Sequence, residues 1–193
     1  METRVRPPSL TTRHIQHLRL VKNRSRVLPL MPSKGIAAEV GVDEGNFSEQ
    51  ILSITKPKML YLIDAWGSKR FGDDKFNKVQ NRFAAEVDRG QVVIQRGISW
   101  EELQKLPDSY FDWIYLDTSH TYEDTAKELE VSRIKVKPDG VISGHDYTIG
   151  NIEQAVRYGV IQAVNEFCIN QDWEMIYLTN EPSRYLTYVL RKM

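Results

Sequence analysis

An acid and two glycines stand at the junction between an apolar strand and a helix, and this junction constrains the fold more than any other segment. The strand is predicted over residues 35–40, and the following helix carries apolar residues at helical spacing from Phe47 onward. Gly41 and Gly45 fall in the turn between them. Glycine there allows positive φ and a close approach of a ligand to the backbone, while the helix N-terminus presents unpaired N–H groups. The segment therefore predicts a strand, turn and helix with a ligand at the turn.

The spacing of these residues differs from the fingerprint of dinucleotide-binding folds. That fingerprint has three glycines, whereas here two glycines stand four residues apart and Glu39 precedes the first by two. The next predicted strand ends at Asp64, about 20 residues after the glycines, which is the offset of a carboxylate that holds ribose hydroxyls. The pattern disfavours a diphosphate and favours another ligand that contains ribose. The alternative is that the glycines and Asp64 serve only as turn residues.

Strand patterns alternate with helical patterns along most of the chain. This alternation implies right-handed crossovers and a mainly parallel, twisted sheet with helices on both faces, so we predict an α/β fold. Two further strand-like runs, 174–179 and 185–191, are joined by a segment too short for a crossover, and they should form a C-terminal antiparallel hairpin. The five earlier strands are predicted at 35–40, 59–64, 91–95, 111–117 and 140–144.

Charge is divided unequally along the chain, although the formal net charge is zero. Residues 1–34 hold eight Lys or Arg and one acid, which leaves 18 basic and 25 acidic residues in 35–193. We predict a basic N-terminal arm at 1–34, with a short amphipathic helix that begins near Thr11 or Thr12, followed by one domain at 35–193. The arm would serve as a lid or as a dimer contact, and a homodimer that exchanges the arm between subunits is one arrangement it allows.

The composition also bears on location and partners. The chain has no run of about 18 apolar residues and no signal-peptide pattern, so we expect a soluble, cytoplasmic protein without a membrane partner. The lone Cys168 has no partner for an internal disulfide, which fits a reducing compartment. Nucleic acid is disfavoured as a partner because the chain lacks a basic face outside the arm. An organelle transit peptide is the alternative interpretation of the arm.

Histidine and aspartate follow the fourth and fifth predicted strands, in Asp117-Thr-Ser-His120 and in His145-Asp146. The carboxyl ends of parallel strands meet at one edge of a sheet, so these residues should share a crevice with the acids named above. Two carboxylates favour a divalent cation, and we predict Asp117 and Asp146 as its ligands. His145 is a third candidate, whose imidazole would shift the preference from magnesium towards manganese, iron or zinc. The alternative is that both acids only cap and tether loops.

From Glu39 to Tyr147 the chain resembles the class I S-adenosylmethionine-dependent methyltransferases, and in particular the small metal-dependent O-methyltransferases of the macrocin O-methyltransferase group. The resemblance implies the Rossmann-like methyltransferase fold, a metal ligand at Asp117 and a general base at His120. The family carries Glu-Asp or Asp-Asp where this chain has His145-Asp146, a departure that bears on the metal. The matching stretches are the glycine turn, Asp64, Gly97-Ile-Ser-Trp-Glu, Asp117-x-x-His120, Lys-Pro-Asp-Gly140 and Gly-His-Asp146.

The sequence as a whole predicts an enzyme that moves the methyl group of S-adenosylmethionine to a hydroxyl of a small, polar, sugar-like metabolite, with magnesium or manganese as a further cofactor. Ser99, after the third strand, either flanks the adenine or only caps its helix. Two other functions stay open: methyl transfer to nitrogen or to RNA gripped by the arm, and a non-catalytic module that binds S-adenosylmethionine. The predicted cofactor-binding residues are Glu39, Gly41, Gly45, Asp64, Ser99 and Asp117.

Overall fold

The computed structural model describes residues 6–182 and 185–193, so residues 1–5 of the predicted arm lie outside the described part. The strands are β1 Arg19–Val21, β2 Ile36–Val40, β3 Met59–Asp64, β4 Val92–Arg96, β5 Phe111–Leu116, β6 Val136–Gly144, β7 Gly150–Asn151, β8 Val156–Arg157, β9 Trp173–Thr179 and β10 Tyr188–Lys192. The helices are α1 Thr12–Ile15, α2 Arg24–Val27, α3 Asn46–Thr55, α4 Asp73–Arg82, α5 Ala84–Asp88, α6 Ser99–Gln104, α7 Tyr122–Lys135 and α8 Val160–Gln171.

Within the described ranges, eight strands form one sheet in the order β1-β9-β10-β6-β5-β2-β3-β4. Along the row β6-β5-β2-β3-β4 each strand runs parallel to the next, whereas β10 runs antiparallel to both β6 and β9. The chain order reverses between β2 and β5, which is the switch point at which open α/β sheets bind ligands. The predicted α/β fold with a C-terminal antiparallel hairpin is confirmed. The remaining strands, β7 and β8, pair with each other.

Apolar side chains cover both faces of the sheet, as parallel strands require. Strand β5 shows the alternation: Ile114 and Leu116 pack on the face covered by α6, α7 and α8, whereas Trp113 and Tyr115 pack on the face of α3 and α4. All four side chains are buried. Because both faces are covered, the polar residues at the carboxyl ends of the strands are the groups that remain available to a ligand.

The N-terminal arm contains the predicted short helix and also takes part in the sheet. The helix begins at Thr12, as predicted, and ends at Ile15. Residues 19–21 then form the edge strand β1, which pairs in parallel with β9. Asn23 then caps α2 by accepting the N–H of Arg26. Val27 is buried at the end of that helix, so the arm is anchored by packing as well as by pairing. The boundary at residue 34 stays a prediction.

Helix termini agree with the sequence at α7 but not at α6. Thr121 caps α7 by accepting the N–H of Asp124 at 3.2 Å. The prediction that Ser99 caps its helix is wrong, because Ile98 is the N-cap residue and makes no side-chain cap. The Ser99 hydroxyl instead donates to the buried carboxyl of Glu128. None of the helices in the described part combines the length and the apolar character that crossing a membrane needs.

Candidate active site

A cleft of about 860 Å³ opens at the carboxyl ends of β2, β3, β4 and β5. Five of the six residues predicted to bind the cofactor line it, and the exception is Gly45. The predicted base His120 also lines the cleft, together with residues of the loop 65–71. The predicted site residues in its lining are Glu39, Gly41, Asp64, Ser99, Asp117 and His120.

Both glycines of the turn have positive φ, 90° at Gly41 and 79° at Gly45. Each is also required by packing within the protein. A Cβ atom on Gly41 would lie 1.9 Å from the carbonyl oxygen of Asp117, and one on Gly45 would lie 2.7 Å from the ring of Phe83. Gly41 therefore allows the turn to lie against the end of β5, which brings the turn and Asp117 into one site.

Asp64 fixes the shape of the glycine turn from the neighbouring strand. Its Oδ2 accepts the backbone N–H groups of Val42 and Asp43 at 2.8 and 3.0 Å, and its Oδ1 accepts that of Trp66 at 3.0 Å. This is the turn role that the sequence left open for Asp64. The carboxyl group also lines the cleft, and its role towards a ribose stays a prediction.

Glu39 is buried, with 2% of its surface exposed, at the end of β2. The hydroxyl of Ser48, on the first turn of α3, donates to its Oε2. Burial raises the pKa of the Glu39 carboxyl to about 8. Within residues 6–182 and 185–193, no Lys, Arg or His nitrogen lies within ion-pair distance of Glu39. An acid that is buried without a cation beside it is suited to the ammonium group of a ligand.

Asp117, His120 and Asp146 converge at the ends of β5 and β6. His120 Nε2 lies 3.3 Å from Asp117 Oδ1 and 2.6 Å from Asp146 Oδ2. The imidazole stacks on the ring of Tyr158, with centroids 4.7 Å apart. One side-chain donor atom from each of the three lies within 4.8 Å of the others, close enough for one metal ion to bind all three.

His145 lies beside this group but farther from both carboxylates than His120 does. Its Nδ1 lies 3.3 Å from Asp146 Oδ2 and 3.8 Å from Asp117 Oδ2. The structure thus brings His120, rather than the predicted His145, nearest to the two carboxylates. With either histidine, two carboxylates and an imidazole favour manganese, iron or zinc over magnesium.

The two carboxylates control the charge of His120. Burial lowers the pKa of the imidazole, but its hydrogen bonds with Asp117 and Asp146 and their negative charges outweigh that effect and raise the pKa to about 9. Burial raises the pKa of Asp146, and the two neighbouring histidines reverse this and hold it well below its ordinary value. At neutral pH the described arrangement is therefore an imidazolium between two carboxylates, and it donates a proton rather than accepts one.

Arg24 is a residue of the cleft that sequence reasoning missed. Its guanidinium lies over the ring of Phe47 at 4.4 Å, and its Nη1 is 3.3 Å from Asp117 Oδ2 and 3.4 Å from the hydroxyl of Tyr115. Nothing in the local pattern distinguishes Arg24 from the other cations of the arm. Its position depends on the pairing of β1 with β9, which is a long-range contact.

Glu128 is a second missed residue, and here the sequence carried a signal. The acid lies on the face of α7 that is buried against the sheet, one turn after Thr125. Its Oε1 accepts the hydroxyls of Ser99 and Thr118, which links α7 to the start of α6 and to the loop after β5. Burial raises the pKa of the Glu128 carboxyl to about 7. An acid at an inward position of a helix predicts such a buried polar contact.

Comparison with known proteins agrees with this geometry. The sequence model of a family described as a methyltransferase domain matches residues 38–147, more than half of the chain. No curated protein sequence matches the chain significantly. An O-methyltransferase from Bacillus cereus, solved with S-adenosylhomocysteine, is similar in structure with a TM-score of 0.63 and 14% identity over 87% of this chain and 78% of that one.

Two further solved structures share the fold. The tRNA methyltransferase TrmK from Bacillus subtilis has a TM-score of 0.60 and 12% identity over 90% of this chain and 67% of that one. The pyocyanin biosynthetic protein PhzM has a TM-score of 0.64 and 13% identity over 88% of this chain. The chain spans only 54% of PhzM. At such identities the likeness concerns the fold.

Proposed function

The chain belongs to the methyltransferase domain family, and from this premise we propose that it transfers a methyl group to a hydroxyl oxygen of a small, polar, sugar-like acceptor. This S-adenosylmethionine-dependent methyltransferase takes the methyl group from the sulfonium of S-adenosylmethionine, where it is activated for transfer. The acceptor is inferred from the site. The structural neighbours include an O-methyltransferase and a tRNA methyltransferase, so the shared fold does not select between them.

The observation that carries the proposal is the convergence of Asp117, His120 and Asp146 beside the cofactor cleft. A neutral hydroxyl is a weak nucleophile, and its attack on a methyl group requires that its proton be lost. Groups that polarise the oxygen and take the proton are therefore needed for transfer to a hydroxyl. Two acids and a histidine beside the cleft match this need.

The donor set fits a divalent cation, which would act as a Lewis acid towards the acceptor hydroxyl. Asp117 and Asp146 would hold it, with His145 as the nitrogen ligand, which leaves His120 available as the base. The pair His145-Asp146 suits manganese, iron or zinc better than magnesium.

His120 serves as the general base only in its neutral form. The negative charges of Asp117 and Asp146 keep its pKa at about 9 in the described arrangement. Positive charge brought to those two carboxylates would lower the pKa of the imidazole towards its ordinary range. The proposal therefore requires the cation for His120 to be neutral, because the two acids that would bind the cation also set the pKa of His120.

The cleft also fits the methyl donor. Glu39 is placed for the ammonium of the methionine part, because it is buried without a cation within ion-pair distance in the described ranges. In this proposal Asp64, at the end of β3, binds the ribose, and Ser99 and Ile98 contact the adenine; all three line the cleft. Holding donor and acceptor in line supplies much of the rate enhancement of a displacement reaction.

Transfer to RNA gripped by the basic arm is the competing function. Two of the arm's cations are engaged by acids of the same chain. Arg13 pairs with Asp172 at 2.8 Å on the surface, and Arg24 contacts Asp117 in the cleft. Fewer cations are then available to phosphates. A steep fall of RNA binding with salt would favour this competitor, because counterion release dominates phosphate contacts.

A methyl-transfer assay with metal-stripped enzyme tests the proposal. The enzyme is treated with a chelator, supplied with S-adenosylmethionine labelled in the methyl group, and offered a panel of sugars and other hydroxylated small molecules. We expect transfer to depend on added manganese and to be lost in Asp146→Asn. Asp88→Asn, which removes the same charge from an exposed helix end, should keep full activity. Transfer that is independent of metal and of Asp146 would contradict metal assistance.

A further inference from the structure

The N-terminal arm brings one guanidinium to the wall of the cofactor cleft. Arg24, at the start of α2, lines the cleft, and its side chain is 32% exposed. The guanidinium covers the ring of Phe47, which follows the glycine turn in α3, at 4.4 Å. Stacking on an aromatic ring orients the planar group while its edge stays available for hydrogen bonds.

The contacts of Arg24 within the protein use little of its donor capacity. Both of its side-chain hydrogen bonds come from Nη1, and both are long, 3.3 Å to Asp117 and 3.4 Å to Tyr115. Nε and Nη2 have no hydrogen-bond partner among the described residues. A guanidinium has five N–H donors in a planar fork that matches the two oxygens of a carboxylate. The free edge of Arg24 is therefore suited to an anion in the cleft.

The position of Arg24 relative to Glu39 indicates which anion this is. The two side chains line the same cleft, and Glu39 is suited to an ammonium group. An ammonium and a carboxylate on the same carbon form the amino-acid end of S-adenosylmethionine, and the rest of that molecule carries no other anion. We infer that Arg24 binds the carboxylate of the methionine part of the cofactor. This inference depends on the cofactor alone and holds whatever the acceptor is.

Two contacts hold the backbone of Arg24 in place for this role. Its N–H donates to the Glu181 carboxylate at 2.7 Å, in the segment between β9 and β10. Asn23 caps the same helix. The contact with Glu181 joins the arm to the segment before β10, so the arm and the C-terminal hairpin together position a cofactor ligand. The basic arm thus supplies a cofactor-binding residue in addition to its edge strand.

Two ligands that differ in the amino-acid end test the inference. S-adenosylhomocysteine carries the ammonium and the carboxylate, whereas methylthioadenosine has the same adenine, ribose and sulfur without them. Calorimetry would measure both dissociation constants for wild type, Arg24→Ala, Arg24→Lys and Arg26→Ala. Arg26 is exposed on the same helix and does not line the cleft, so Arg26→Ala is the control for loss of charge.

We expect Arg24→Ala to weaken S-adenosylhomocysteine by about 10- to 100-fold, the range of a charge-assisted hydrogen-bonded pair, and to leave methylthioadenosine unchanged. Arg24→Lys should lose less affinity, because it keeps the charge without the fork. Unchanged methylthioadenosine binding also shows that the variant is folded. An equal loss for both ligands, or no loss for S-adenosylhomocysteine, would overturn the inference. If only the proposed acceptor is wrong, these binding results stay the same and the transfer assay alone fails.

Discussion

The Nε2 atom of His120 lies 2.6 Å from Oδ2 of Asp146, and this contact joins the loops that follow β5 and β6. Asp117 approaches the same nitrogen at 3.3 Å. With a pKa of about 9, the imidazole is charged at neutral pH and lies as a cation between the two acids. Because the acids set the charge of the histidine, the titration of His120 reports on the integrity of the whole group.

The first prediction concerns the pH dependence of stability at His120. Its pKa is raised from an ordinary value of 6.5 to about 9, so folding favours the protonated ring. The ring's stabilising contribution is complete below about pH 6.5 and is lost as the pH rises towards about 9. Urea unfolding should therefore show a larger loss for His120→Gln near neutral pH than at alkaline pH. In Asp146→Asn the effect of His120→Gln should vary less with pH; an effect independent of pH in wild type would contradict the prediction.

The second prediction concerns Glu128. Burial raises its pKa to about 7 from 4.5, so the folded protein binds a proton that the unfolded chain releases, and this acid makes stability fall as pH rises between those values. Glu128→Gln keeps an oxygen for Ser99 and Thr118 but has no charge to bury. The variant should gain about 3 kcal/mol relative to wild type between pH 4.5 and 7. Chemical denaturation across that range measures the gain, and parallel stability curves would refute it.

The third prediction links Glu39 to the cofactor. With a pKa of about 8, Glu39 is mostly protonated at neutral pH. An ammonium group placed beside it would favour the charged carboxylate and release the proton. Calorimetry in buffers of different ionisation enthalpy should detect roughly one proton released per S-adenosylhomocysteine bound. Methylthioadenosine, which lacks the ammonium, should release none, and neither should Glu39→Gln with S-adenosylhomocysteine. Equal release with both ligands would exclude Glu39 as the source.

The fourth prediction separates conformation from packing at the glycine turn. Gly41 and Gly90 have φ values of 90° and 73°, but a Cβ on Gly41 would clash with the Asp117 carbonyl, whereas one on Gly90 would meet nothing within 4 Å. Gly90→Ala should cost about 1–2 kcal/mol from strain alone. Gly41→Ala should cost at least about 3 kcal/mol, because the clash adds to the strain. Equal losses in urea unfolding would show that packing against Asp117 contributes nothing.

Local sequence patterns predicted much of the fold because they report on local structure. The alternation of strands and helices, the turn at Gly41 and the cap at Thr121 depend on neighbours within a few residues. Strand β1 was missed because its three residues are mostly exposed and its partner β9 is far away in the chain. The role of Ser99 was misassigned because its partner, Glu128, lies on a distant helix.

The residues of the candidate site likewise divide into those that sequence patterns predict and those that depend on loop geometry or long-range contacts. The ends of parallel strands meet at one edge, so the convergence of Asp117 and Asp146 could be predicted from strand order. The choice of His120 over His145 as the nearest nitrogen depends on loop geometry, including a positive φ of 62° at His120. Arg24 could not be predicted, because its entry into the cleft requires the arm to be pinned by both β9 and Glu181.

The identity of the methylated atom tests whether the enzyme transfers the methyl group to a hydroxyl oxygen of a small acceptor. The manganese-loaded enzyme is incubated with S-adenosylmethionine carrying a carbon-13 methyl group and with amino sugars, which offer hydroxyl and amino groups in one molecule. We expect a product signal with the chemical shift of an O-methyl carbon, absent in Asp146→Asn and present in Asp88→Asn. An N-methyl signal, or label transferred to added RNA with none in the sugars, would contradict it.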